Sequence, residues 1–290
     1  MKSIFVQLSG GLGNQMFQYA FAKSLSINLK RKLFIETRTK LNDQYNRKVV
    51  LNNSLLEKYK IKNFFSLLIV FLIFKIELIL KKISKQKAIT YRPWGVFIDD
   101  RFAIHSYINF FNKNYKKNIY ILGYFQSIKY FSEHKRIILK NLQIMYKNSK
   151  KFKYYKNLMR RKNSVAIGVR LFEEIKNGEK KHVGGAENEY FYNQAIQEIY
   201  KKIKNPFFFI FCTYKTNFLK KLKFKSKSTV VFLAEDNEIN DTQTAIKLFT
   251  LCKHHIISNS SFYFWGSYLT KNKGIKIYSK KFVNRDLLLN

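Results

Sequence analysis

Apolar and polar positions in this chain switch repeatedly between a period of two and a period near 3.6. Residues 4–8 (IFVQL) read as a strand and glycines follow. Over 16–29 the pattern is helical, with Phe17, Ala20, Phe21, Ser24 and Leu25 on one face. Residues 33–35 predict the next strand. The span 37–119 is irregular and helical with few sharp signals; 119–122 then predicts a strand and 130–142 a helix. A second series starts near Ser164. Its unbroken apolar runs 165–169 and 207–211 predict strands covered on both faces, and 229–233, 255–258 and 275–278 predict three more. Helices are expected over 190–202, 216–221, 241–252 and 260–269. Strands alternating with helices imply an α/β architecture with parallel sheets. Two such series imply two Rossmann-like domains, 1–150 and 151–290, facing a central cleft.

The longest apolar stretch, 64–74, holds eleven uncharged residues, too few for a membrane span of about 20. It predicts a helix, with a place in the core as the first reading. The alternative is a peripheral position in a membrane interface, with Lys81, Lys82 and Lys85 reaching the headgroups.

Composition narrows the picture. Of 290 residues, 46% are hydrophobic and 17% aromatic, enough for a packed core and against wholesale disorder. The two prolines, Pro93 and Pro206, mark no flexible linker. Lys and Arg total 55 against 18 acidic residues, a formal charge of +37. AT-rich coding drift, attraction to anionic membranes or substrates, and nucleic-acid binding all compete to explain it. The charge is dispersed in short pairs such as Lys116-Lys117 and Lys220-Lys221, which argues against a basic arm, so no nucleic-acid partner is expected. Cys212 and Cys252 lie in apolar segments outside any CxxC and read as free thiols of a reducing compartment. Residues 1–8 carry no secretory pattern, and a cytoplasmic protein is expected, with the inner face of the plasma membrane as a possible station.

Three segments could carry chemistry. Gly10-Gly11-Leu12-Gly13-Asn14-Gln15 joins a strand to a helix, either as a tight turn or as a cradle of backbone N–H groups for an oxygen-rich ligand. It is neither a GxGxxG fingerprint nor a Walker loop. Arg170 follows the 165–169 strand, where parallel sheets bind ligands; with Glu173, Glu174 and Gly178 beyond it, it suits a pyrophosphate clamp or a surface ion pair. Asn259-Ser260-Ser261-Phe262 opens a helix, as a cap or as a phosphate seat. Trp265 and Tyr268 read as core. His254 and His255 lack metal-ligand partners at suitable spacing, and no DxD carboxylate pair exists, so a metal-independent reaction without cofactor is expected.

Together these segments resemble glycosyltransferase family 11, the bacterial α-1,2-fucosyltransferases. GGLGNQMFQYAFAKS (10–24) matches the family's opening motif, GYFQSIKYF (123–131) its GY(W/F)QSEKYF segment, and LCKHHIISNSSFYFWGSYL (251–269) its C-x-H-x-IIANSSFSWWGAWL signature. The resemblance spans nearly the whole chain and is weakest over 37–118. It implies a GT-B-like, inverting enzyme that moves L-fucose from GDP-fucose to O2 of a galactoside. It also implies that the C-terminal domain binds the nucleotide sugar and that the N-terminal glycine loop faces the acceptor. Arg170 matches an arginine expected on the β-phosphate; Ser260, Ser261 and Phe262 match a second phosphate-binding motif; Asn14 matches a position that places the acceptor hydroxyl. By the same resemblance Gly11, Gly13, Gln15, Gly168, Glu173 and Thr213 are substrate or nucleotide contacts.

The departures are specific. In the family's HxRRxD the His falls on Gly168, the second Arg on Leu171 and the Asp on Glu173; its S-D-D falls on Cys212-Thr213-Tyr214. By the resemblance, the His and Asp lost here are the side chains that relatives use around guanine. GDP-colitose, another nucleotide sugar, or a non-catalytic glycan-binding homologue are the alternatives they raise. Glu173, Glu174 and Glu187 are candidate general bases. A lipid-linked acceptor in surface polysaccharide synthesis, such as O-antigen, is the natural setting.

Overall fold

A computed structural model describes residues 2–38, 48–84, 90–91, 94–98, 115, 117–170, 186–213, 217–233, 239 and 241–281. Two compact units divide between Gln143 and Ile144.

In the first unit, β1 (Ser3–Gln7) leads into α1 (Leu12–Asn28) and β2 (Lys32–Glu36). Then come α2 (Asn53–Lys58), α3 (Phe64–Ser84), β3 (Thr90–Tyr91), β4 (Val96–Ile98) and β5 (Ile119–Leu122). The sheet order is β2-β1-β5-β4-β3, parallel except for β3. The irregular span 37–119 thus contributes two strands of its own; both are short, and periodicity over two or three residues carries no signal. The expected helix over 130–142 resolves into 3-10 turns at Ile128–Tyr130 and Ser132–His134 followed by α4 (Lys135–Asn141). Helix α1 is buried nearly all round, Leu12 to Tyr19 included save Asn14, so its sequence shows no clean stripe. One face of α3, with Val70 and Phe74, packs on Phe5, Ile61, Tyr120 and Leu122.

The second unit opens with α5 (Lys150–Arg161), which packs on β6 (Asn163–Gly168) and on the later helix α7 (Thr242–Leu251) and is capped by Ser149. It continues through α6 (Glu189–Lys202), β7 (Pro206–Phe211), a 3-10 turn at Asn217–Lys221 and β8 (Thr229–Phe232). The chain then runs through α7 (Thr242–Leu251), β9 (His254–Ile257), α8 (Ser261–Tyr268) and β10 (Lys276–Tyr278). All strands are parallel in the order β10-β9-β6-β7-β8. The apolar runs of β6 and β7 are covered on both sides, as their sequences predict. On one face Tyr192, Ala195, Ile196 and Ile199, a 3.6-period stripe of α6, meet Val165, Ile167, Phe208 and Ile210. On the other, Phe249 of α7 packs edge-on against Phe211, ring centroids 5.0 Å apart. Both units are Rossmann-like, and the fold class is GT-B-like α/β.

Candidate active site

In open parallel sheets, ligands bind beyond the carboxyl ends of the strands where the strand order reverses. Each unit has one such switch point. In the second it lies between β6 and β9, whose register pairs Gly168 with Ile257. Arg170 stands two residues past the end of β6 and the Ser258–Ser261 turn directly past the end of β9, so the two are brought to adjacent strand ends about 5 Å apart. Arg170 is half-buried, and its backbone N–H donates to the Tyr192 hydroxyl at 3.4 Å. That hydroxyl also neighbours Ser258, Glu187 and Cys212, and burial drives its pKa well above the ordinary tyrosine value. It therefore stays protonated.

The start of α8 is unlike most other helix starts among the described residues. Helices α2, α5, α6 and α7 each begin on a capping side chain: Asn52, Ser149, Asn188 and Asp241 accept from backbone N–H groups. Ser260, at the cap position of α8, makes no side-chain cap bond, and Gly11 before α1 has no side chain to offer. Helix α4 also lacks a side-chain cap but follows directly on a 3-10 turn. Capping as the sole use of Ser260 is thereby set aside. Its hydroxyl, and the N–H groups at the positive end of the helix dipole, suit a bound anion.

Gly168 shows why the strand tip departs from the family pattern. A Cβ placed there would lie 2.3 Å from the Tyr263 ring. That ring fills the space a side chain would need, and its hydroxyl lies 2.8 Å from the Phe211 carbonyl and 3.3 Å from that of Val169, tying the ends of β6 and β7 together. Gly168 thus makes room for the Tyr263 ring, which a side chain there would strike. Thr213 is exposed beyond β7, and Phe262 is half-buried at the start of α8, edge-on to Tyr263 at 5.3 Å. Glu173, Glu174, Leu171 and Tyr214 lie outside the described residues. Glu187 is buried, with its carboxylate taken by the Ser279 hydroxyl and by Lys281 Nζ at 3.5 Å. It braces the ends of the strands and is not poised as a base.

The first unit's switch point lies between β1 and β5. Gln126 Nε2 donates to Asn14 Oδ1 at 2.7 Å, so both amides sit at the glycine loop. Gly10 has φ +71, and a Cβ there would lie 2.8 Å from Asn14 Nδ2; only glycine allows that approach. Phe125, with φ 47, is a bulky residue in left-handed backbone, strain of about 1–3 kcal/mol. The Phe21–Phe125 stack, centroids 4.2 Å apart, holds it and sets the course of Gln126. Gln18 bridges the two strand ends, accepting from Ser9 N and donating to Gly123 O at 2.8 Å. Gln15 is fully buried: its amide donates to Gly10 O and Lys48 O and accepts from Val50 N and Leu51 N. It braces the loop and has no bond left for substrate. Gly11 is half-buried and Gly13 lies buried in the first turn of α1.

Tyr192, Tyr263 and Gln126 are site residues the sequence reading passed over. Gln126 and Tyr263 stand inside matched motifs and could have been found there; Tyr192, in the first turn of α6, had no local signal. Among the described residues, no group of three His, Cys, Asp or Glu could hold a metal ion.

Comparison with known proteins identifies the family and the fold. Residues 3–288 match the glycosyl transferase family 11 profile. The chain is 28% identical over 292 aligned residues to an α-1,2-colitosyltransferase of Escherichia coli, covering 99% of this chain and 95% of the relative. Its fold is similar to that of an Arabidopsis thaliana FUT1 variant in complex with GDP (TM-score 0.53, 10% identity, 97% of this chain and 72% of that one). It is also similar to the fucosyltransferase NodZ from Bradyrhizobium (TM-score 0.52, 12% identity, 93% and 94%). A NodZ α-1,6-fucosyltransferase soaked with GDP-fucose gives the same TM-score of 0.52 over 93% of each chain. At these identities the structural likeness establishes the fold, and the profile match over almost the full length establishes the family: the chain belongs to glycosyl transferase family 11.

Proposed function

We propose that this glycosyltransferase is an inverting, metal-independent enzyme that moves a 6-deoxyhexose, L-fucose or colitose, from its GDP-sugar to a hydroxyl of a glycan acceptor. The observation that supports this reading is placement: Arg170 follows β6 and the Ser260-Ser261 start of α8 follows β9, two strands paired side by side at the switch point. As the bond between the sugar and the diphosphate breaks, negative charge grows on the leaving oxygens. A guanidinium and a helix N-terminus fixed beforehand stabilise that charge more than they stabilise the intact donor. The acceptor hydroxyl attacks the opposite face of the sugar carbon, the new glycosidic bond forms, and the hydroxyl proton passes to the departing diphosphate. The Asn14–Gln126 amide pair, neutral and rich in donors and acceptors, suits sugar hydroxyls. The E. coli relative favours colitose and the fucosyltransferase neighbours favour GDP as the carrier; a lipid-linked surface polysaccharide precursor fits as acceptor.

Thermal shift with GDP, UDP, dTDP, CMP and ADP tests the donor class. GDP near a hundredfold over its Kd stabilises by about 2.7 kcal/mol, a Tm rise of about 5 °C or more, and the other nucleotides do not. Protection by a different nucleotide reassigns the donor, and no protection by any of them overturns the transferase reading. Product formation from GDP-fucose against GDP-colitose then decides the sugar.

A further inference from the structure

Helix α3 is buried along one stripe only. Phe64, Phe65, Leu68, Ile69, Leu72, Ile76 and Ile79 are all exposed, Phe65 to 72%. At 100° per residue they fall within one arc of about 140° in which Lys75 is the charged residue, opposite the face of Val70, Phe74 and Glu77 that packs on the rest of the first unit. Seven adjoining apolar side chains exceed the scattered exposure of an ordinary surface. Reading this stretch as a core helix therefore holds for half of its circumference.

The charge around the arc is one-sided. Lys58, Lys60 and Lys62 precede the helix and are exposed, with Glu57 the acidic residue among them. Lys75 is exposed on the helix, and Lys81 and Lys82 belong to its last turn. The acidic residue of the helix, Glu77, is turned inward: it is fully buried and accepts from Trp94 Nε1 at 2.5 Å. Trp94 itself is 47% exposed. No helix among the described residues is long and apolar enough to cross a membrane.

We infer that the outer face of α3 docks this enzyme on an anionic lipid bilayer, with the helix in the plane of the interface. An apolar arc flanked by lysines and aromatics sinks about 5–10 Å into the headgroup boundary, and nearby cations add attraction to anionic lipid. A second copy of this chain suits the face poorly, because it would press two molecules of formal charge +37 together. The inference does not depend on the donor sugar. It brings the enzyme to the surface where an acyl-chain-anchored acceptor resides.

Vesicle flotation with the full chain tests it, using phosphatidylcholine with and without phosphatidylglycerol. The protein is expected to float with the anionic vesicles only. Phe64→Ser/Phe65→Ser and Leu72→Asn/Ile76→Asn should each weaken partitioning about tenfold or more, and Lys58→Glu/Lys62→Glu should blunt the preference for anionic lipid. Transfer to a soluble acceptor and protection by GDP stay normal in these variants, which separates failure of this inference from failure of the donor reading. Absence of flotation, flotation unchanged by the apolar substitutions, or self-association abolished by those substitutions in the absence of lipid each overturns the proposal.

Discussion

The two units carry the same switch-point frame and different chemistry. Each places a turn and an uncapped helix start, α1 or α8, beside the end of a neighbouring parallel strand. In the first unit that corner is furnished with neutral amides, Asn14 and Gln126 facing each other and Gln15 and Gln18 locking the loop beneath. In the second it is furnished with a guanidinium and hydroxyls, Arg170 with Ser258, Ser260, Ser261 and Tyr192. Amides exchange hydrogen bonds with sugar hydroxyls at little electrostatic gain, whereas a cation with aligned N–H groups answers a growing negative charge. The frame is common property of the fold; under the function proposed above, the side chains on it divide the labour.

The largest expected effect tests that division. Arg170→Ala should lower both glycosyl transfer and donor hydrolysis about a thousandfold with little change in Tm. Asn14→Ala should lower kcat/KM for the acceptor about a hundredfold while protection by GDP persists. Equal losses of donor binding in both variants would break the contrast.

The second unit should also be the acid-labile one. His255 is fully buried in β9, its Nε2 within 2.9 Å of the Phe249 carbonyl, and burial pushes its pKa down to about 4. The folded state therefore refuses a proton that the unfolded chain accepts near the ordinary value of 6.5. Stability is unaffected above that value and falls as pH drops from there towards 4, by about 3 kcal/mol. Melting curves over this range read the loss, and His255→Gln should flatten it.

The smallest effect concerns Ser260. Because its hydroxyl caps nothing, Ser260→Ala should leave Tm unchanged, unlike the loss of about 1 kcal/mol usual for a capping serine, yet weaken GDP-sugar binding about tenfold. Calorimetry with the donor and a thermal melt check the two halves.

Much of this was legible in the chain itself. The second unit's strands were readable because β6 and β7 are buried on both faces, which writes unbroken runs such as FFFIF into the sequence. The first unit was harder: β3 and β4 are too short to show a period, and α1, buried nearly all round, hides its stripe. Helix α5, among the most clearly two-faced of the helices, leaves little apolar signal in the sequence because Lys and Arg dominate its composition.

The sequence alone determined the local grammar: where strands yield to glycine or serine turns, that Arg170 follows a buried strand, and that three motifs stand in family order. Tertiary structure decided what each residue is free to do. Gln15 and Gln126 are the same side chain in matched motifs, yet one is spent on backbone and the other faces Asn14. Gly168 reads as a lost contact until Tyr263, some ninety-five residues on, is seen lying over it. Hydrogen-bond saturation and close packing are properties of atoms brought together across the chain, and no local stretch of letters contains them.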